Sequence, residues 1–130
     1  MWATALWAAL LAPVCLWLSA RVIGQRRRAQ VPIGTGGDAA LERAVRAQAN
    51  FAEYVPFALL LMALAEAAGA PGWALHPPGA LLLAGRIAHG SGLMRVPEDF
   101  RFRIFGMMAT FGAIGWGALA CLVAGTIGWR

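Results

Sequence analysis

The chain has 130 residues, of which 60% are hydrophobic and only 13% charged, with a formal net charge of +5. Soluble domains average roughly 45–50% apolar and about 25% charged residues, so this composition points to an integral membrane protein. All eleven cations are Arg. They are expected at helix ends rather than on one soluble face, which argues against a nucleic-acid surface.

The first apolar run predicts a helix over residues 2–24, closed by Arg21 and the Arg26-Arg27-Arg28 cluster. The charge follows the run instead of preceding it, so an uncleaved membrane helix is expected rather than a signal peptide. Pro13 is expected to bend it. Cys15 in this segment and Cys121 in the last one are expected as free, buried thiols, with no C-x-x-C and no metal-ligand spacing. Residues 25–40 form a loop. Its Gly34-Thr35-Gly36-Gly37 lacks the preceding strand and the Gly-Lys-Ser/Thr ending of a phosphate cradle.

Asp38 fits the N-cap of a second helix over 41–68. That helix is about 40 Å long against a hydrocarbon core of about 30 Å, so its first turns must project into the headgroups or beyond. Pro56 predicts a kink just past Glu53. Glu66 is expected to be exposed at the far interface. His76 is read as a solvated residue of the following turn. A third helix is expected over 77–93, with Arg86 and His89 on one face.

Residues 94–101 form a second charged loop with Arg95, Glu98, Asp99 and Arg101. The fourth helix is expected over 102–128, where Gly106, Gly112, Gly115 and Gly117 suit close packing in lipid. No segment reads as a strand, and an open sheet could not cross a bilayer. The fold class is therefore all-α: one domain, residues 1–130, forming an integral membrane four-helix bundle.

Orientation follows from charge. The first and third connections carry Arg, while the N-terminus and the second connection carry none. Cytoplasmic loops are enriched in Arg and Lys, so loops 25–40 and 94–101 are expected inside and both termini outside. Trp2, Trp7, Trp73 and Trp129 would then lie together near the outer interface.

At about 100° per residue, Arg46, Asn50 and Glu53 share one narrow face at the mouth of an apolar segment. Ionisable groups at membrane depth are expensive and usually functional. Taken alone, these residues read either as a structural network between helices or as a ligand site. Arg86 and His89 read either as a snorkelling Arg beside a hydrogen-bonded His, or as further lining of the same pocket. A small transporter or channel is disfavoured, because no inverted repeat or midplane break is visible.

The stretch Glu42-Arg43-Ala44-Val45-Arg46-Ala47-Gln48-Ala49-Asn50-Phe51-Ala52-Glu53-Tyr54-Val55-Pro56 resembles the second-helix signature of the MAPEG family, the membrane-associated proteins in eicosanoid and glutathione metabolism. Gly85-Arg86-Ile87-Ala88-His89 resembles the family's third-helix motif, and Arg103-Ile104-Phe105-Gly106-Met107 the start of the fourth helix in bacterial members. The resemblance covers about Val22 to Thr126. It implies a homotrimer of four-helix subunits, with a glutathione site between subunits near the cytosolic side of a bacterial inner membrane.

Carried onto this chain, the resemblance implies that Arg46, Arg86, Arg103 and one of Arg26 or Arg27 serve the carboxylates and thiolate. Glu53 would serve the amine, and Asn50 and His89 would supply hydrogen bonds. Arg103 is the implied catalytic residue, holding the thiolate that attacks a lipophilic electrophile or reduces a hydroperoxide. No metal is implied. Two positions depart from the pattern of many eukaryotic members: Ala49 stands where they have Arg, and Leu93 where they have Tyr. The other reading consistent with these departures is a non-catalytic binding or structural protein of the same fold.

Overall fold

The computed structural model describes residues 1–97 and 99–129. Glu98, named above among the loop charges, and Arg130 lie outside the described residues. Four helices run in sequence: α1 (Trp2–Ala29), α2 (Ala39–Ala67), α3 (Gly72–Leu93) and α4 (Phe100–Thr126). Short connections make consecutive helices antiparallel neighbours. α2 and α3 each pack against both α1 and α4, while α1 and α4 do not meet among the described residues.

The core is built along the seams. Leu11, Val14 and Leu18 of α1 meet Ala47, Phe51 and Val55 of α2, Leu82 of α3 and Ala113 of α4. Smaller clusters close each end, around Met62 and Leu75 at one and Val22 and Leu41 at the other. Many large apolar side chains stay outside, among them Leu16, Leu60, Ile104, Met108, Leu119 and Leu122. In water so many would be a liability; in a bilayer they face solvent of their own kind. By length and composition α1, α2 and α4 can each cross a membrane.

Trp2, Trp7, Trp73 and Trp129 gather at one end of the bundle. The Trp2 ring lies 5.3 Å from that of His76, and Trp73 lies 5.8 Å from Trp129. The Arg-rich connections lie at the other end.

Each helix boundary has a local cause. α1 runs past residue 24 because Arg26, Arg27 and Arg28 complement the negative end of its dipole. Gln30 ends it in the left-handed region at φ 55°. Asp38 caps α2, its Oδ1 accepting from the Leu41 N–H at 2.8 Å while Oδ2 takes Arg28 at 2.6 Å. These bonds hold the Asp38 carboxyl below the usual carboxylate range, the Leu41 amide more than the Arg28 guanidinium. Asp99 caps α4 by accepting from the Arg101 N–H at 3.1 Å.

α3 begins at Gly72, five residues before the expected start, and runs through Pro77 and Pro78. Pro78 cannot donate to the Ala74 carbonyl. Trp116 of α4 does so instead, its Nε1 lying 2.9 Å from that oxygen. His76 is consequently helical and half-buried rather than a solvated loop residue. Its Nδ1 accepts from Trp7 Nε1 at 3.2 Å.

Two other expectations are corrected. The Glu66 side chain is 7% exposed. It accepts from the Ala3 and Thr4 amides at 3.0 and 2.9 Å, capping α1 from a helix far away in sequence. Cys15 is exposed on the protomer surface, not buried, and Cys121 is half-buried with its Sγ donating to the Leu61 carbonyl; both are free.

Of the four α4 glycines named above, Gly106 and Gly117 sit at close helix contacts, whereas a Cβ on Gly112 would just touch Leu81 and Gly115 faces open space. The closer of these two contacts is Gly106 against Gly85 of α3. A Cβ on Gly106 would lie 2.6 Å from the Gly85 carbonyl oxygen and from His89 Cβ.

Candidate functional site

The Arg-rich end of the bundle opens into a cleft of about 230 Å³ lined by Glu42, Arg43, Arg46, Asn50, His89, Leu93 and Arg103. The α2 residues fall on one face by their spacing, and His89 and Leu93 lie one turn apart on α3. Arg103 enters from the first turn of α4, which Asp99 caps. Three guanidiniums against one carboxylate make the lining cationic. Arg forks match carboxylates in bidentate fashion, so the cleft suits an anionic, hydrogen-bonding ligand.

One turn deeper, the cleft rests on Arg86, which is 1% exposed. A buried charge is costly unless its hydrogen bonds are filled. Arg86 Nη1 donates to Asn50 Oδ1. Its Nη2 donates to the Gly106 carbonyl at 3.3 Å and lies 3.8 Å from Met107 Sδ. The Gly85–Gly106 approach keeps α3 close enough to α4 for the Gly106 bond to form. Arg86 thus joins α2, α3 and α4, and it holds Asn50 by its amide oxygen, leaving the NH₂ of that amide for the cleft.

On its other side Arg103 borders an apolar cleft of about 290 Å³, formed with Phe100, Ile104, Met107 and Met108 of α4. Its guanidinium lies 5.6 Å from the Phe100 ring centroid. One cation therefore stands between a polar cleft and a greasy surface.

The structure brings Arg46, Asn50, His89 and Arg103 together at the cleft and puts Arg86 beneath them. Glu53 is exposed on α2 and does not line the cleft within the protomer. Arg26 is turned to its own loop, donating to the carbonyls of Val31 at 3.3 Å and Gly34 at 2.7 Å. Arg27 is exposed at the end of α1. Glu42, Arg43 and Leu93 are lining residues that the sequence reading did not assign. For Glu42 and Arg43 the signal was present, since 42, 46 and 50 are four apart and 43 lies three before 46 and seven before 50, on one helix face. Neither cysteine lines the cleft, and no cluster of metal-ligating side chains occurs among the described residues.

The fold and cleft together define an integral membrane helical-bundle protein with a cationic cleft at one end. The chain belongs to the MAPEG family, whose sequence model matches residues 4–123. It is also similar to the inner membrane protein YecN of Escherichia coli, 39% identical over 111 residues, which cover 85% of this chain and 83% of that one. The YecN of the O6:H1 strain matches to the same extent.

Proposed function

We propose that the chain is a glutathione-dependent enzyme of the bacterial inner membrane, acting as a transferase or peroxidase on a lipophilic substrate. The observation that carries this reading is the position of Arg103 between the polar cleft and the apolar one. A hydrophilic thiol ligand and a membrane-borne substrate would meet at that residue. Arg43 and Arg46 would take the ligand's carboxylates, and Asn50 and His89 would orient it. A guanidinium beside the sulfur lowers the thiol pKa from about 8.5 without itself losing a proton. The thiolate then attacks an electrophilic carbon, forming a thioether as the leaving group departs with its electron pair. Alternatively it attacks the hydroperoxide, breaking the O–O bond to give the alcohol and a sulfenic acid that a second glutathione thiol converts to the disulfide and water. No protein nucleophile is needed, in keeping with cysteines that lie outside the cleft.

In this reading the functional unit is a homotrimer, in which Glu53 and one of Arg26 or Arg27 would complete a neighbour's site. Loops 25–40 and 94–101 face the cytoplasm and both termini face out. The inner-membrane assignment rests on the apolar helices and on the name of the relative. One observation favours a second reading, a ligand-binding protein without turnover: Leu93 lines the cleft and offers no hydroxyl there.

The test is a titration of the purified protein with glutathione and with its S-methyl form. Both are expected to bind saturably, and only glutathione should raise the ultraviolet absorbance of a thiolate. Arg103→Ala should suppress that signal while only weakening binding. If neither ligand binds, the proposal fails. Binding without a thiolate signal selects the second reading.

A further inference from the structure

A second cationic cleft, of about 200 Å³, lies where the end of α1 meets the start of α2. It is lined by Arg21 and Gln25 of α1, Ala40 and Arg43 of α2, and Met94 and Val96 of the α3–α4 connection. Among the described residues, no carboxylate lines it. The nearby Asp38 and Asp99 are taken by Arg28 and Arg95. Among the described residues no ion pair reaches Arg21 or Arg43. Two guanidiniums facing one cleft repel each other, and an anion between them would relieve this.

The depth of the cleft identifies the source of that anion. The Ala3–Glu66 hydrogen bond sets the register between α1 and α2. Arg21 is 18 residues beyond Ala3 and Arg43 is 23 before Glu66, which at a rise of 1.5 Å gives about 27 and 35 Å. The tryptophans around Ala3 and Glu66 mark one edge of the hydrocarbon, which is about 30 Å thick. The two guanidiniums therefore straddle its other edge, at the level of phospholipid phosphates. The remaining lining suits a lipid rather than a soluble anion: Met94 is apolar, and Val96 is 80% exposed although apolar.

We propose that this cleft binds the phosphodiester of an anionic phospholipid, with Arg21 and Arg43 as its two cations and Gln25 as a hydrogen-bond donor. Arg43 also lines the functional cleft. Arg21 does not, so it is the residue to change.

The full chain, purified in mild detergent, would be offered equal amounts of phosphatidylglycerol and phosphatidylcholine, with retained lipid counted by native mass spectrometry. Wild type is expected to retain phosphatidylglycerol preferentially, about one per chain. Arg21→Gln should weaken that retention about fivefold, the effect of one cation at a headgroup, and Arg21→Lys should keep most of it. Ala40→Glu puts a carboxylate into the cleft at a helix N-terminus, where it favours folding. It should weaken retention too, so the proposal stays testable if Arg21→Gln does not fold. Glutathione binding should be unchanged in Arg21→Gln. Equal retention of the two lipids, or retention unmoved by both charge-altering variants, would overturn the proposal. Displacement of phosphatidylglycerol by inorganic phosphate would overturn it as well, because it would show a site for a soluble anion.

Discussion

Gly106→Ala tests whether the α3–α4 approach supports the site. The new Cβ would lie 2.6 Å from the Gly85 oxygen and from His89 Cβ, and 2.8 Å from His89 N. Ordinary contact begins at 3.4 Å, so the helices must part by about 0.8 Å. A gap of 0.5–1 Å forfeits a quarter to a half of each dispersion contact across the seam. It would also stretch the bond from Arg86 Nη2 to the Gly106 oxygen, already at 3.3 Å. Overpacking costs about 1–3 kcal/mol and a charge-assisted hydrogen bond about 1.5–3 kcal/mol. Because the long Arg86 side chain can follow part of the movement, we expect a net loss from both terms of roughly 2–4 kcal/mol. Ala is also a better helix former than Gly, by about 1 kcal/mol in water. Gly115→Ala in the same helix, and Gly24→Ala in α1, share that gain but meet nothing within 4 Å. The difference between Gly106→Ala and these controls therefore isolates the seam. Equilibrium unfolding in mixed micelles, followed by far-ultraviolet circular dichroism, measures it. Agreement of all three variants within about 0.5 kcal/mol would refute the close approach.

Glu66→Leu removes the acceptor for two α1 amides and should cost about 0.5–2 kcal/mol, whereas Glu66→Gln keeps an acceptor and should recover most of it in the same unfolding assay. Asp38 is held below its ordinary pKa of 3.8, so its charged form contributes stability that is full above that value and lost as pH falls through the lower folded pKa. Asp38→Asn keeps a good cap without the charge, and its unfolding midpoint should converge with wild type below pH 3.8; a gap that persists or widens there would count against the Arg28 pairing. Reporter fusions in the α1–α2 connection at Gly36 and at Gly72, the first residue of α3, should report opposite sides of the membrane, and the same side for both would refute the four-helix path.

Hydropathy blocks located all four helices, because a bilayer tolerates little else as a spanning element. Two of the misplaced features depend on partners distant in sequence. Pro77 fits the expected start of the third helix, yet α3 begins at Gly72 and runs through Pro77 and Pro78, where Trp116 satisfies the Ala74 carbonyl that Pro78 leaves open. Glu66 read as an exposed interfacial charge, since nothing near it in sequence shows that the α1 N-terminus lies against it. At the cleft, helical spacing was enough to align Arg46 with Asn50. It could not show that Glu53, on nearly the same face, turns away from the cleft of its own subunit, because that depends on where α3 and α4 sit.

Arg86 shows why residue type alone leaves a role open. Arg86 and Arg103 carry the same group, and the family resemblance treats both as anion ligands. Arg103 is half-buried at the cleft and borders the apolar surface beside it. Arg86 does not line the cleft, and two of its guanidinium nitrogens are already donating to Asn50 and Gly106. A cation with those commitments is poorly placed to follow a ligand. It can still act on one, because its charge lies under the Asn50 amide and its bond fixes that amide's orientation. The division of labour is therefore one buried Arg that positions and several cleft Arg residues that bind. Losing the buried one leaves the Asn50 amide oxygen without its donor at membrane depth and loosens the joint among three helices, although the Gly106 oxygen keeps the Thr110 hydroxyl at 2.7 Å. Losing Arg103 removes charge from the cleft and leaves that joint intact.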